Sequence, residues 1–185
     1  MTRAYGRLLM DYDITPAEIV RESNEQKESL LFFIDKTLDI RGYNNDDLRK
    51  RNLLLAMILA NRPEKFLIVN DPSNWYPIVD YHLMRLALRL GLVDLNYEEI
   101  EKENKRRLLV VDWKTEFEIR AATWVAVSEL ISKSNRTMFF VDQVMWDARR
   151  YCPEMEVPNC DKCIFTEVCA KRVELFQPVF RTTNY

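Results

Sequence analysis

The sequence predicts an all-α fold, on three observations. Only 3 glycines and 7 prolines are spread over 185 residues, too few for the many tight turns of a β-rich architecture. Helix-start and helix-stop signals recur along the chain, with apolar residues returning at helical spacing between them. The single stretch with strand character, Lys65 to Val69, has no second stretch to pair with.

Thr15-Pro16-Ala17-Glu18 opens the first helical region: Thr15 can cap, Pro16 suits the first turn, and Glu18 completes a capping box. Helix is expected from there to about Leu38, broken near Asn24, with Leu30, Leu31, Ile34 and Leu38 as its apolar stripe and Gly42 as its end. Asn45 or Asp46 is expected to cap a second region from Leu48 to Ala60, in which Arg49-Lys50-Arg51 precedes the apolar run Leu53 to Leu59. Lys65 to Val69 is read as a buried helical turn, and Asp71-Pro72-Ser73-Asn74 as a turn. Trp75 to His82 leads into a helix from Leu83 to Leu90 that Gly91 stops. Asn96 and Glu99 form a capping box for a charged helix to about Arg107, and Asp112 is expected to cap a long helix to about Ser132. A last helix is expected from Met138 to Tyr151, giving six or seven in all.

Domain organisation follows. Residues 1–151 form a helical domain, 152–169 a cysteine loop, and 170–185 a tail packed on the domain. Apolar residues make up 48% of the chain, enough for a real core. The net charge of −2 excludes wholesale electrostatic binding to nucleic acid; any such contact needs a local basic patch. The opening residues MTRAYGRLLMDYDI are too polar and short for a signal peptide, and no apolar run approaches a membrane span. A cytoplasmic protein without a membrane partner is expected, since a reducing compartment suits free thiolates.

All four cysteines, Cys152, Cys160, Cys163 and Cys169, fall within eighteen residues, with gaps of seven, two and five. Thiolates are soft ligands, and four on one loop can wrap a soft metal centre. Pro153 and Pro158 stiffen the long gap and reduce the entropy lost when the loop closes. Three chemistries compete. A [4Fe–4S] cluster suits irregular gaps. Structural zinc more often uses two separated short hooks, and only Cys160 and Cys163 form one. Two disulfides suit a small secreted chain.

The loop resembles the six-two-five cluster loop of the endonuclease III and adenine-mismatch branch of the helix-hairpin-helix DNA glycosylases, with seven in place of six. Upstream, Val79-Asp80-Tyr81-His82 and the apolar residues to Val93 look like the Val-Asp-Thr-His segment of the same family. There the Asp is catalytic, which implies that role for Asp80. The family's glycine-rich hairpin, which holds a DNA phosphate on backbone amides, has no counterpart: Asn61 to Asn74 contains no glycine. The middle of the chain also resembles the queuosine-nucleotide N-glycosidases of queuine salvage, which lack both the hairpin and the cysteine loop. Arg49-Lys50-Arg51-Asn52-Leu53-Leu54, Asp80-Tyr81, Glu116-Phe117-Glu118-Ile119-Arg120 and Phe140 to Asp147 carry that likeness. Together the resemblances imply a DNA-glycosylase-like helical domain with a C-terminal iron–sulfur cluster loop.

Cleaving a base–sugar bond passes through an oxocarbenium-like state, which a nearby carboxylate can stabilise while it orients water. Asp80 is the candidate, and it can equally cap the helix it opens. Lys50 could bind a 5′-phosphate, steady Asp80 or attack the sugar, or be a solvated residue of a basic turn. Trp75, Tyr76, Tyr81 and Trp146 could stack on a base or belong to the core. Asp142 and Asp147 could contact a base edge or sugar, or form structural ion pairs. His82, the only histidine, is assigned to holding the local helix. Lys162, Lys171 and Arg172 could reach phosphates from the cluster loop. The expected activity is hydrolysis of a modified nucleoside, nucleotide or nucleic-acid base. The alternative is a non-catalytic [4Fe–4S] protein that binds nucleic acid or a ribonucleoprotein, and a protein partner is open in either case.

Overall fold

The computed structural model describes residue 10 and residues 15–95, 113–154 and 156–173. The charged helix expected from Asn96, the Asp112 cap and most of the tail lie outside them. Among the described residues there are six α-helices, two 3-10 turns and no strand, so the all-α expectation holds. The chain divides into two compact units, one with the described residues up to Ile78 and the other with those from Val79.

In the first unit α1 (Pro16–Asn24) packs on α2 (Ser29–Leu38), and α2 on α3 (Lys50–Asn61). Ile19, Leu30, Phe33, Ile34, Leu53 and Leu67 form its buried centre. The capping box is present: Thr15 Oγ1 accepts from Glu18 N–H, and the Glu18 carboxylate accepts from Thr15 N–H at 2.7 Å. The expected break falls between Asn24 and Ser29, where a residue far downstream caps the new helix. Asp71 Oδ1 accepts from Leu30 N–H at 2.8 Å and Oδ2 from Leu31 N–H at 3.3 Å. Burial pushes the Asp71 carboxyl up, but hydrogen bonds from Asn74, Leu30 and Leu31 outweigh it and hold the group below its ordinary value.

A depressed carboxyl contributes stability that is present above its unfolded pKa and lost as pH falls through the folded one. Asp71→Ala is therefore expected to cost about 2 kcal/mol at neutral pH. The gap between wild type and variant in urea unfolding should narrow as pH drops below about 4. A gap that stays constant with pH would assign the loss to packing instead.

Two expectations need correction here. Lys65 to Val69 is neither helix nor strand. Side chains satisfy its backbone: Asn24 donates to Phe66 O and accepts from Ile68 N–H, both at 2.8 Å, and Ser29 Oγ donates to Ile68 O. Polar side chains thus replace the ladder that a strand partner would have provided. The second helical region starts at Lys50, not Leu48, because Arg49 adopts a left-handed φ of 53°. Asp46 still serves it from upstream, with Oδ2 accepting from Lys50 N–H at 2.8 Å.

In the second unit α4 (Tyr81–Leu90), α5 (Trp113–Ser134) and α6 (Met138–Ala148) pack pairwise. Val79, Leu83, Leu86, Ala87, Val127, Val141 and Met145 are buried there. Gly91 ends α4 at φ 82°, and a Cβ on it would lie 2.9 Å from the Ala170 Cβ. The glycine serves both the left-handed turn and the close approach of the returning chain. The last helix stops at Ala148 rather than Tyr151, because the chain tightens: Arg150 N–H bonds to Asp147 O and Tyr151 N–H to Ala148 O.

Candidate functional site

The second unit brings the four cysteines together. All are free thiols, and all line one small cavity with Leu86, Leu90, Tyr151 and Pro158. Cys152 leaves α6 and is buried. Cys160 opens the 3-10 turn Cys160–Lys162, and Cys163 closes it by donating its N–H to Cys160 O at 3.1 Å. Cys169 returns against α4, with Sγ 3.4 Å from Arg89 O. Lys171 takes a left-handed φ of 55° and donates its N–H to Cys169 Sγ at 3.3 Å. Burial pushes the Cys169 thiol up, and the other three cysteines press the same way.

Arg89 lies on α4 with 2% of its surface exposed. Its Nη1 donates to Cys152 Sγ at 3.1 Å and to Pro153 O at 3.0 Å. A buried guanidinium calls for a negative charge beside it. One turn earlier, buried Arg85 sets Nη1 3.5 Å from Glu154 Oε1, on the residue pair after Cys152. The sequence reading missed Arg85, Arg89 and Glu154. A signal was present: two arginines four apart among Leu83, Met84, Leu86 and Ala87 lie on an apolar helix face, where a cation demands an anion.

Among the described residues, no three His, Cys, Asp or Glu side chains are arranged to hold a metal ion. Four thiols lining one cavity, with N–H donors aimed at two of the sulfurs, are a soft donor set of the kind that suits a thiolate-bound metal centre.

Asp80 caps α4. Its Oδ1 accepts from His82 N–H at 2.9 Å and Leu83 N–H at 3.1 Å, while Oδ2 takes no part in the cap. Rings gather at the same helix end. Tyr81 and His82 ring centroids are 4.1 Å apart, and Trp146 meets His82 edge-on at 5.2 Å. Arg149 lies over the Trp146 ring at 3.8 Å, and 37% of Trp146 remains exposed. Behind Asp80, Arg120 Nε donates to Val79 O at 3.0 Å and ties α5 to the start of α4.

The other predicted residues divide. Asp147 accepts from Gln143 and pairs with Arg150, so it is an ion-pair residue. Asp142 is half-buried on α6. Lys50, Trp75 and Tyr76 belong to the first unit. Lys50 opens α3, and burial raises the Tyr76 phenol. Lys162 and Lys171 are exposed, while Arg172 pairs with Asp94 at 2.6 Å. The first unit also has an apolar cleft of about 670 Å³ lined by Ile19, Phe33, Tyr43, Arg51 and Phe66, among others; it holds none of the predicted site residues.

No family model, curated protein or solved structure matches this chain.

Proposed function

We propose that the chain is an iron–sulfur N-glycosidase that hydrolyses the base–sugar bond of a modified nucleoside, nucleotide or nucleic-acid base. The observation that carries this reading is the Asp80 carboxylate. One oxygen is fixed by two amides of α4, and the other is left for a ligand near the partly exposed Trp146 and the Tyr81 and His82 rings. A base can stack on such rings while the carboxylate faces its sugar. As the bond to the base stretches, Asp80 stabilises the cation growing on the sugar ring. The fixed oxygen keeps the carboxylate from rotating, so no reorganisation is needed when charge develops.

Cys152, Cys160, Cys163 and Cys169 would hold a [4Fe–4S] cluster, which would close the loop and place negative charge beside the Arg89 guanidinium. Purified without oxygen, the protein is expected to be brown and to carry about four irons per chain. Chromatography after incubation with modified nucleosides, their 5′-nucleotides and damaged DNA or RNA should reveal a released base. Colourless, zinc-bearing protein would overturn the cluster, and a panel with no release would overturn the enzyme.

The exposed Lys162 and Lys171 on the loop favour a second reading, a non-catalytic cluster protein that grips nucleic-acid phosphates. Salt-sensitive binding to DNA or RNA without base release would select it.

A further inference from the structure

Glu154 follows Cys152 by two residues, yet its carboxylate serves α4. Its Oε1 lies 2.9 Å from His82 Nδ1 and 3.5 Å from Arg85 Nη1. A 2.9 Å contact between a ring nitrogen and a carboxylate oxygen needs a proton between them. The carboxylate has none to give, so Nδ1 carries it and donates. Nε2 is then left with the bare lone pair of a neutral imidazole. Arg85 Nη2, 3.3 Å from the same Nδ1, faces a donor and contributes charge only.

The ring is held from several sides. Tyr81 stacks obliquely against it, Trp146 meets it edge-on, and the residue's own N–H donates to Asp80 Oδ1 at 2.9 Å. His82 thus joins the proposed sugar-facing carboxylate to a second carboxylate on the cysteine loop. The charged groups around it are Asp80, which caps α4, Arg85 on α4, Glu154 from the loop and Arg149 just past the end of α6. Burial pushes the imidazole down; Asp80 and Glu154 push it back up, Arg85 and Arg149 push it down again, and it settles below its ordinary value. It is therefore neutral at pH 7, as a base must be.

Resting on the N-glycosidase reading above, we infer that His82, oriented by Glu154 through Nδ1, is the general base that takes a proton from the attacking water at Nε2 beside Asp80. The step balances. The water oxygen bonds to the anomeric carbon of the sugar as the carbon–nitrogen bond breaks. The electron pair of that bond leaves on the base nitrogen. A water proton passes to Nε2, and the imidazolium returns it to the departing base. Glu154 and Arg85 are positioning residues; Asp80 stays a carboxylate throughout.

The test is the pH profile of base release for wild type, His82→Gln and Glu154→Gln. Wild-type turnover should fall on the acid side of neutrality as His82 gains its proton. His82→Gln should lose about a hundredfold in kcat with little change in KM, and its acid limb should vanish. Glu154→Gln removes an anion that raises the imidazole, so its acid limb should move to lower pH. A purely structural staple would lower the melting temperature and leave the limb in place. Wild-type kcat in His82→Gln, or a limb unmoved in both variants, overturns the assignment while base release by wild type still stands. No release by wild type removes the reaction and this base with it. Should His82→Gln fail to fold, nitrogen NMR of the wild-type ring decides: the Nδ1–H tautomer is expected, and the Nε2–H tautomer overturns the inference.

Discussion

Asp80→Asn is expected to abolish base release and leave the fold intact. Asparagine caps helices about as well as aspartate. The Oδ1 acceptor for the His82 and Leu83 amides therefore survives the change. What disappears is the negative charge proposed to face the sugar. A loss of at least about a hundredfold in kcat follows, the size found when a preorganised electrostatic group is removed. Asp80→Ala adds the loss of the cap, about 1 kcal/mol in urea unfolding. The two variants separate the roles: equal activities with unequal stabilities mean that the charge drives catalysis and the acceptor drives folding. Full turnover in Asp80→Asn would sink the assignment, whatever its stability.

Cys160→Ser is expected to strip the protein of iron and open the loop. The loop has little core of its own. Val157 is 87% exposed, Ile164 61% and Val168 78%. Its hold on the body is a set of polar contacts, among them Asn159 N–H to Tyr151 O at 2.7 Å, Ala170 N–H to Leu90 O at 3.1 Å and Glu154 Oε1 to His82 Nδ1 at 2.9 Å. Such a segment would depend on the proposed cluster, as small metal-bound domains depend on their metal. A serine oxygen is too hard to replace a thiolate on iron. The loss should be on the order of 4 kcal/mol in the second unit. Iron analysis and limited proteolysis between Pro153 and Ala170 measure it. Unchanged iron in Cys160→Ser would remove that residue from the ligand set.

The sequence reading succeeded where structure is set by neighbours along the chain. The Thr15–Glu18 box, the Asp80 cap and the Gly91 stop are all exchanges within a turn or two, and each is where local chemistry placed it. It failed where the deciding partner is distant. Asn24 and Ser29 organise Phe66 to Asn70 from about forty residues away, so a pattern read over a short window could not anticipate the irregular path. The same holds for the site. The cysteines announced themselves by spacing, but Arg89 and Glu154 acquire meaning only when α4 and the loop meet, 63 residues apart at the Arg89–Cys152 contact. His82 was read as a helix residue because its partner across space was invisible.

The end of α4 carries a consequence for biosynthesis. Arg89 O and Leu90 O have no acceptors' work inside the helix; they receive Arg172 N–H and Ala170 N–H from the far end of the chain. During translation α4 emerges about eighty residues ahead of those amides, and until they arrive water must occupy its last turn. Helix completion and the gathering of the four thiols thus converge on one late moment, after residue 172 has left the ribosome. A nascent chain stalled before that point would present an unfinished helix and an ungathered set of thiols together.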